Sequence, residues 1–138
     1  MAKKFRTEIV TPERAVFSEE IESLVIPAER GYLGVLAGHA PLLCTLQPGE
    51  ITIKTGTSEL RFATSGGFME VTPQKAVLLT ESAEEVAKID VPRAEEAKKR
   101  AQERLVAAAT DKKIDRERAK AALERAENRI KVAQKQRK

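Results

Sequence analysis

Two periods of hydrophobic spacing divide this chain. Over the first 80 residues apolar side chains recur at every second position in short runs. Phe5, Thr7 and Ile9 alternate with polar neighbours, and Ile51 and Ile53 do so in Gly49-Glu-Ile-Thr-Ile-Lys-Thr, the period of a half-buried β-strand. Ile21, Leu24, Val25 and Ile26 read as one short apolar strand. Turn-forming residues at Thr11-Pro12, Arg30-Gly31, Gly34, Gly38, Pro48-Gly49, Gly56, Gly66-Gly67 and Pro73 cut the region into pieces of about 4 to 8 residues. That spacing predicts an antiparallel sandwich or barrel of about eight to ten strands. Glu50 to Thr55 and Glu59 to Thr64 are predicted to pair across a hairpin turn, as are Phe68 to Val71 and Lys75 to Thr80 across Thr72-Pro73-Gln74.

Beyond residue 81 the period changes to three and four. Ala94, Ala97, Ala101, Leu105 and Ala108 form one stripe, and Ala119, Ala122, Leu123, Ala126, Ile130 and Ala133 form another. Ile89-Asp90-Val91-Pro92-Arg93-Ala94 and Ile114-Asp115-Arg116-Glu117-Arg118-Ala119 each place an Asp at an N-cap position behind an apolar residue, with an Ala five positions after that residue. Pro92 falls in the first turn, where its missing N–H costs little. With Thr110-Asp-Lys-Lys at the join, the pattern predicts a hairpin of two antiparallel helices, each roughly 30 Å long. The join contains no glycine, so residues 90 to 135 can equally run as one helix of roughly 70 Å. Alanine-lined packing is marginal, since a buried methyl contributes about 0.8 kcal/mol at most.

Composition sharpens this boundary. All seven glycines, all five aromatic residues and five of the six prolines lie in the first 80 residues, whereas the remainder carries thirteen alanines. Net charge is −1 over the first 80 residues and +5 over the last 58. We therefore draw an all-β sandwich domain over 1–84 and a helical hairpin domain over 85–138. No apolar run approaches the ~20 residues of a spanning helix, and no apolar stretch of ~7 to 15 residues follows the basic N-terminus Met1-Ala-Lys-Lys-Phe-Arg, so neither a membrane span nor a secretory signal is expected.

Catalytic chemistry is almost absent from the pattern. His39 and Cys44 are five residues apart, a spacing that puts them on opposite faces of a strand, and the lone cysteine excludes an internal disulfide and, with a single histidine, a structural zinc site. No phosphate-binding glycine loop or dinucleotide fingerprint is present, and Gly31-x-x-Gly34-x-x-x-Gly38 has turn spacing instead.

The arginines of the helical part carry more information. Arg93 and Arg100 are seven apart on one helix face, and Arg125 and Arg129 are one turn apart on the other helix. Folding the hairpin draws these four cations together, which suits an anion such as a nucleotide phosphate. The plainer reading is a solvated surface in which Glu96 pairs with Arg100 and Glu124 lies beside Arg125. A basic arm for nucleic acid is a further alternative on net charge and a pI near 9.3. Against it, no aromatic residue follows Phe68 to stack on bases, and interleaved glutamates cancel much of the field.

Gly31-x-Leu33-Gly34-Val35-Leu36-x-Gly38-His39-Ala40-Pro41-Leu42-Leu43, then Pro48-Gly49, Ser65-Gly66-Gly67-Phe68-x-Glu70-Val71 and the alanine-rich tail, resembles the epsilon subunits of bacterial F-type rotary ATP synthases over essentially the whole chain. The resemblance implies a ten-stranded sandwich that binds the gamma subunit and the c-ring, with Glu29, Arg30, Gly31, Tyr32, His39, Ala40, Pro41 and Leu42 at that interface. It implies a non-catalytic rotor subunit, peripheral on the cytoplasmic face of the cell membrane. It implies a mobile hairpin that extends towards the alpha and beta subunits of the catalytic head and inhibits ATP hydrolysis. Some bacterial members bind ATP in the folded hairpin through Ile/Leu-Asp-x-x-Arg-Ala, which stands here as Ile89, Asp90, Arg93 and Ala94; Glu84, Arg100, Arg125 and Arg129 match the remaining contact positions. ATP enters as a regulatory ligand, no cofactor is required, and the need for magnesium is left open.

Overall fold

The structure, a computed structural model, describes residues 3–134. Met1 and Ala2 of the N-terminal stretch, and residue 135 at the end of the helical run, lie outside the described residues. One compact unit ends at Val86 and a second begins at Ala87. The division falls two residues later than the boundary drawn from sequence, because Ala83–Glu85 forms a last strand paired with the sandwich.

The first unit holds ten strands: β1 (Phe5–Val10), β2 (Ala15–Ile21), β3 (Ser23–Ala28), β4 (Gly31–Leu36), β5 (Leu42–Leu46), β6 (Gly49–Thr55), β7 (Ser58–Thr64), β8 (Gly67–Thr72), β9 (Lys75–Thr80) and β10 (Ala83–Glu85). Hydrogen bonds link them in the order β10-β7-β6-β3-β5-β8-β9-β1-β2, with β4 attached to β3. Pairing is antiparallel except between β1 and β9, which run parallel with Ile9 beside Leu78. Inward positions of the alternation close one core of Phe5, Ile9, Phe17, Ile21, Leu24, Ile26, Val35, Leu46, Ile51, Ile53, Phe62, Met69, Val71, Ala76 and Leu78. Phe17 and Phe62 meet edge to face with ring centres 6.0 Å apart. Each fully buried large side chain contributes about 1.5–3 kcal/mol, which makes this core the main support of the unit.

The two predicted hairpins form, each slightly longer than expected. Thr55 pairs with Ser58 across Gly56-Thr57, where Gly56 supplies the positive φ of 59° that a two-residue turn needs. Thr72 pairs with Lys75 across Pro73-Gln74. The single strand expected over Ile21 to Ile26 is two strands. Glu22 bends the chain and its N–H donates to Lys54 O at 2.8 Å, so Ile21 ends β2 while Leu24 and Ile26 face the core from β3.

One charged pair is built into the sheet. Arg61 of β7 donates through both Nε and a terminal nitrogen to the Glu50 carboxylate of β6, the second bond at 3.0 Å, with both side chains less than a tenth exposed. This bond to Glu50 raises the Arg61 pKa above its already high ordinary value.

The second unit is a helical hairpin, α1 (Val91–Ala107) and α2 (Arg116–Gln134), packed on each other. Asp90 caps α1 by accepting from Arg93 N at 3.1 Å, and Asp115 caps α2 by accepting from Arg118 N at 3.0 Å. No glycine ends α1. Its last carbonyls are closed by Ala108 N to Arg104 O and Asp111 N to Ala107 O, both 2.9 Å, and the Asp111 carboxylate accepts from Lys113 N to turn the chain. Buried positions on the helices are Ala94, Ala101, Ala119, Ala126, Ile130 and Val132. Ala97, Leu105, Ala108, Ala122, Leu123 and Ala133 of the predicted stripes are only half-buried, and Val132 lay outside them.

Candidate functional site

The hairpin carries seven of the eight residues matched to nucleotide contact. The cap at Asp90 fixes the backbone entry to α1, with Ile89 half-buried just before it and Ala94 buried in the first turn. Arg93 therefore projects from a rigid helix start and is exposed, as is Arg100 two turns on. On α2, Arg125 is exposed and Arg129 is half-buried. A hairpin turned at residues 108–115 sets Arg93 level with the end of α2 that bears Arg129, and Arg100 level with the neighbourhood of Arg125. Among the described residues, neither Glu96 with Arg100 nor Glu124 with Arg125 forms an ion pair. Arg93, Arg100 and Arg125 are thus three exposed cations on the two helices. Glu84, the eighth residue, belongs to the sandwich unit, where it pairs with Ala63 across β10 and β7.

The residues matched to rotor contact fall into two groups. Glu29 and Arg30 make the exposed β3–β4 turn, with Gly31 and Tyr32 opening β4. His39, Ala40 and Pro41 lie in the loop after β4, and Leu42 opens β5. β4 separates the groups by roughly 17 Å at ~3.3 Å per residue, so they form two surfaces rather than one. The first is tied down by the Tyr32 hydroxyl, which accepts from Glu50 N at 3.1 Å. The second is tied down by Gly38 N donating to Pro73 O at 3.1 Å, while His39 Nδ1 donates to Ala40 O at 2.7 Å.

A third surface was missed in the sequence. Phe68 of β8 and Leu79 of β9 are direct cross-strand partners and are 56% and 55% exposed; Leu43, one row away on β5, is 71% exposed. They occupy the polar phase of their strands, opposite Met69, Leu78 and Leu46, which are buried. Apolar residues out of phase in Leu42-Leu43, Gly67-Phe68-Met69 and Leu78-Leu79 were the available signal. Contiguous exposed apolar side chains of this kind mark an interaction surface.

Cys44 lies half-buried on β5, where burial pushes its thiol above the ordinary value. Among the described residues no group of three or more His, Cys, Asp or Glu side chains is placed to hold a metal, and no helix is long and apolar enough to cross a membrane.

A small sandwich that presents apolar and charged surfaces, joined to a cationic two-helix hairpin, defines a protein that acts through contacts. Residues 4–86 match the family model described as the beta-sandwich domain of the ATP synthase delta/epsilon chain, and residues 87–134 match its long alpha-helix domain. The chain is 50% identical over 99 residues to the ATP synthase epsilon chain of Dehalococcoides mccartyi, covering 72% of this chain and 71% of that one. It is 43% identical over 109 residues to that of Priestia megaterium, covering 79% and 81%. Among solved structures it is similar in fold to a chain of the mitochondrial ATP synthase of Euglena gracilis, with a TM-score of 0.74 and 23% identity over 91% of this chain and 78% of that one. The chain belongs to the ATP synthase delta/epsilon family, as an epsilon chain and a non-catalytic subunit of that complex. The nucleic-acid alternative finds no support in these matches.

Proposed function

We propose that the sandwich seats the chain in the rotor and the hairpin regulates it. In this reading the exposed row of Leu43, Phe68 and Leu79 receives the gamma subunit, and the turn at Glu29 to Gly31 meets the c-ring. The chain is then peripheral, on the cytoplasmic face of the membrane, and contributes no reacting group. Support comes from the distribution of large side chains: every aromatic residue able to anchor an interface lies in the sandwich, and the hairpin has none.

The folded hairpin binds ATP, and the extended hairpin reaches the alpha and beta subunits and stops hydrolysis. The observation that carries this is the set of exposed Arg93, Arg100 and Arg125 on a hairpin whose buried positions are mostly alanines. Arginine forks match phosphate oxygens, and a second helix brought alongside supplies the charges from two directions.

A chain ending at Lys88 is the test of the division of labour. It should still assemble and support ATP synthesis while hydrolysis loses its inhibition; a folded sandwich that fails to assemble would refute the proposal. Titration of the full chain with ATP tests the ligand. Arg93→Ala should weaken binding by ~1.5–3 kcal/mol, the usual worth of a charged hydrogen bond. Unchanged affinity in both Arg93→Ala and Arg125→Ala would leave the hairpin to act through protein contacts alone.

A further inference from the structure

The register between β3 and β6 stops short of the strand ends. Val25 pairs with Thr52, and continuing the ladder would set Pro27 opposite Glu50. Proline has no N–H to offer, and the Pro27 carbonyl accepts from Gln47 N at 2.8 Å. Glu50 N–H donates instead to the hydroxyl of Tyr32, the β4 partner of Pro27, which reaches across it to β6 at 3.1 Å. Gly49 leaves the space for this crossing. A Cβ there would stand 2.7 Å from Pro27 Cβ and 2.9 Å from the Tyr32 hydroxyl. The ring of Tyr32 gains little from burial, because the residue is 62% exposed; what its side chain secures is the bond at its tip.

The geometry points to Tyr32, Pro27 and Gly49 as a latch that positions the β3–β4 turn on β6 for its contact with the c-ring, a role resting on the reading of that turn proposed above. The turn carries Glu29 and Arg30, both exposed; on its β3 side the Pro27 carbonyl and the Ala28–Leu46 pair tie it to β5 and the residue after it, whereas β4 pairs with β3 alone. A strand paired on one side only twists easily, so a separate attachment of β4 close to the turn sets the angle of that arm to the rest of the sheet. The attachment also reaches deeper. The residue whose N–H Tyr32 engages is the one whose carboxylate grips Arg61, so the turn is tied to a buried bidentate pair rather than to a pliable edge. Tyr32 is therefore a positioning residue, and Gly49 a position where any side chain would displace it.

Two variants test this from opposite sides. Tyr32→Phe keeps the ring and removes the acceptor; Gly49→Ala keeps the tyrosine and fills its space from a residue outside the turn. In the full chain, Glu50 amide exchange should quicken about threefold to tenfold in Tyr32→Phe, with amides of β8 and β9 unchanged. In membrane vesicles carrying the assembled ATP synthase, both variants should pump at least about twofold fewer protons per ATP hydrolysed. Arg30→Ala serves as the control for the turn itself. Unchanged Glu50 exchange in Tyr32→Phe overturns the latch. Faster exchange with normal coupling, while Arg30→Ala uncouples, leaves the turn's rotor role standing and overturns positioning through Tyr32. If Arg30→Ala leaves coupling intact as well, the assignment of the turn to the c-ring fails and the latch's role falls with it. A loss in Tyr32→Phe that Gly49→Ala does not share assigns Tyr32 a direct contact and overturns the latch.

Discussion

Removing Arg61 should cost the sandwich far more than removing the whole pair it forms. Arg61 and Glu50 are 8% and 7% exposed at their side chains, their contact is bidentate, and Thr52 adds a hydroxyl to the same carboxylate at 3.4 Å. Arg61→Ala leaves that carboxylate buried without its cation, a change worth about 3–5 kcal/mol. Against a total of roughly 5–15 kcal/mol for a domain, that is a large fraction of all stability. Glu50→Leu with Arg61→Met replaces both charges by side chains of similar bulk and should lie within about 1 kcal/mol of the parent, or above it. Urea unfolding of the full chain, followed through the core methyls of Ile51 and Ile53, reports on the sandwich separately from the helices. A pH series supplies the sign. In Arg61→Ala the folded carboxyl has its pKa raised by burial, above the unfolded value of about 4.3. The stability it contributes is then present below that value and is lost as pH rises through the folded pKa, so the variant should gain on the parent under mild acid. A cost under about 1 kcal/mol for Arg61→Ala, or a double variant as damaged as the single, would refute the argument that an uncompensated buried charge dominates here.

Two further outcomes follow from single contacts. Asp90→Ala removes the acceptor for Arg93 N and should weaken the first turn of α1 by about 1 kcal/mol, seen as roughly fivefold faster exchange of the Arg93 and Ala94 amides, while Asp90→Asn keeps the cap. Unchanged amides in Asp90→Ala would show that Pro92 and packing hold the turn without it. Burial raises the Cys44 pKa, so less thiolate is present at pH 8 and iodoacetamide should label it more slowly than an exposed cysteine, reaching the ordinary rate in urea; labelling at the ordinary rate in the folded chain would refute this.

The sandwich and hairpin were legible because each is written in local terms. Alternation at Phe5 to Ile9 and Ile51 to Ile53 marks strands, and the paired Asp caps mark both helix starts within a residue of where they form. The parallel contact of β1 with β9 was not legible, since it joins strands some seventy residues apart and no local pattern encodes its direction. The split at Glu22 was hidden for a related reason: a continuous apolar run gives no sign that the backbone donates to Lys54 and changes sheet position. At the candidate site, motif spacing named the arginines, while charge pattern left their partners open. Glu96 and Arg100 have the right separation for an ion pair, yet exposed long side chains gain only a few tenths of a kcal/mol from closing one. The proposed Tyr32 latch lay beyond sequence reasoning, because Gly49 read only as a turn residue, Tyr32 entered only through the resemblance, and Pro27 carried no signal of its own.

The hairpin's join bears on regulation through small opposing quantities. Running α1 into α2 as one helix would surrender the Asp115 cap and the Asp111 turn, about 1 kcal/mol each, and the burial of alanine methyls at about 0.8 kcal/mol apiece. It would gain regular helical bonding through residues 108–115, where alanine favours the helix and no glycine or proline opposes it. Neither side of that balance contains a large core residue beyond Ile130 and Val132. A ligand that binds only the folded form, present at 100 times its dissociation constant, adds about 2.7 kcal/mol to that side. That is comparable to the sum of the two caps, so under the proposed reading nucleotide level would decide the hairpin's state while leaving the sandwich, with its fifteen-residue core and buried ion pair, untouched. Regulation by a metabolite requires this inequality between units: the element that senses must be weakly held, and the element that anchors must not be.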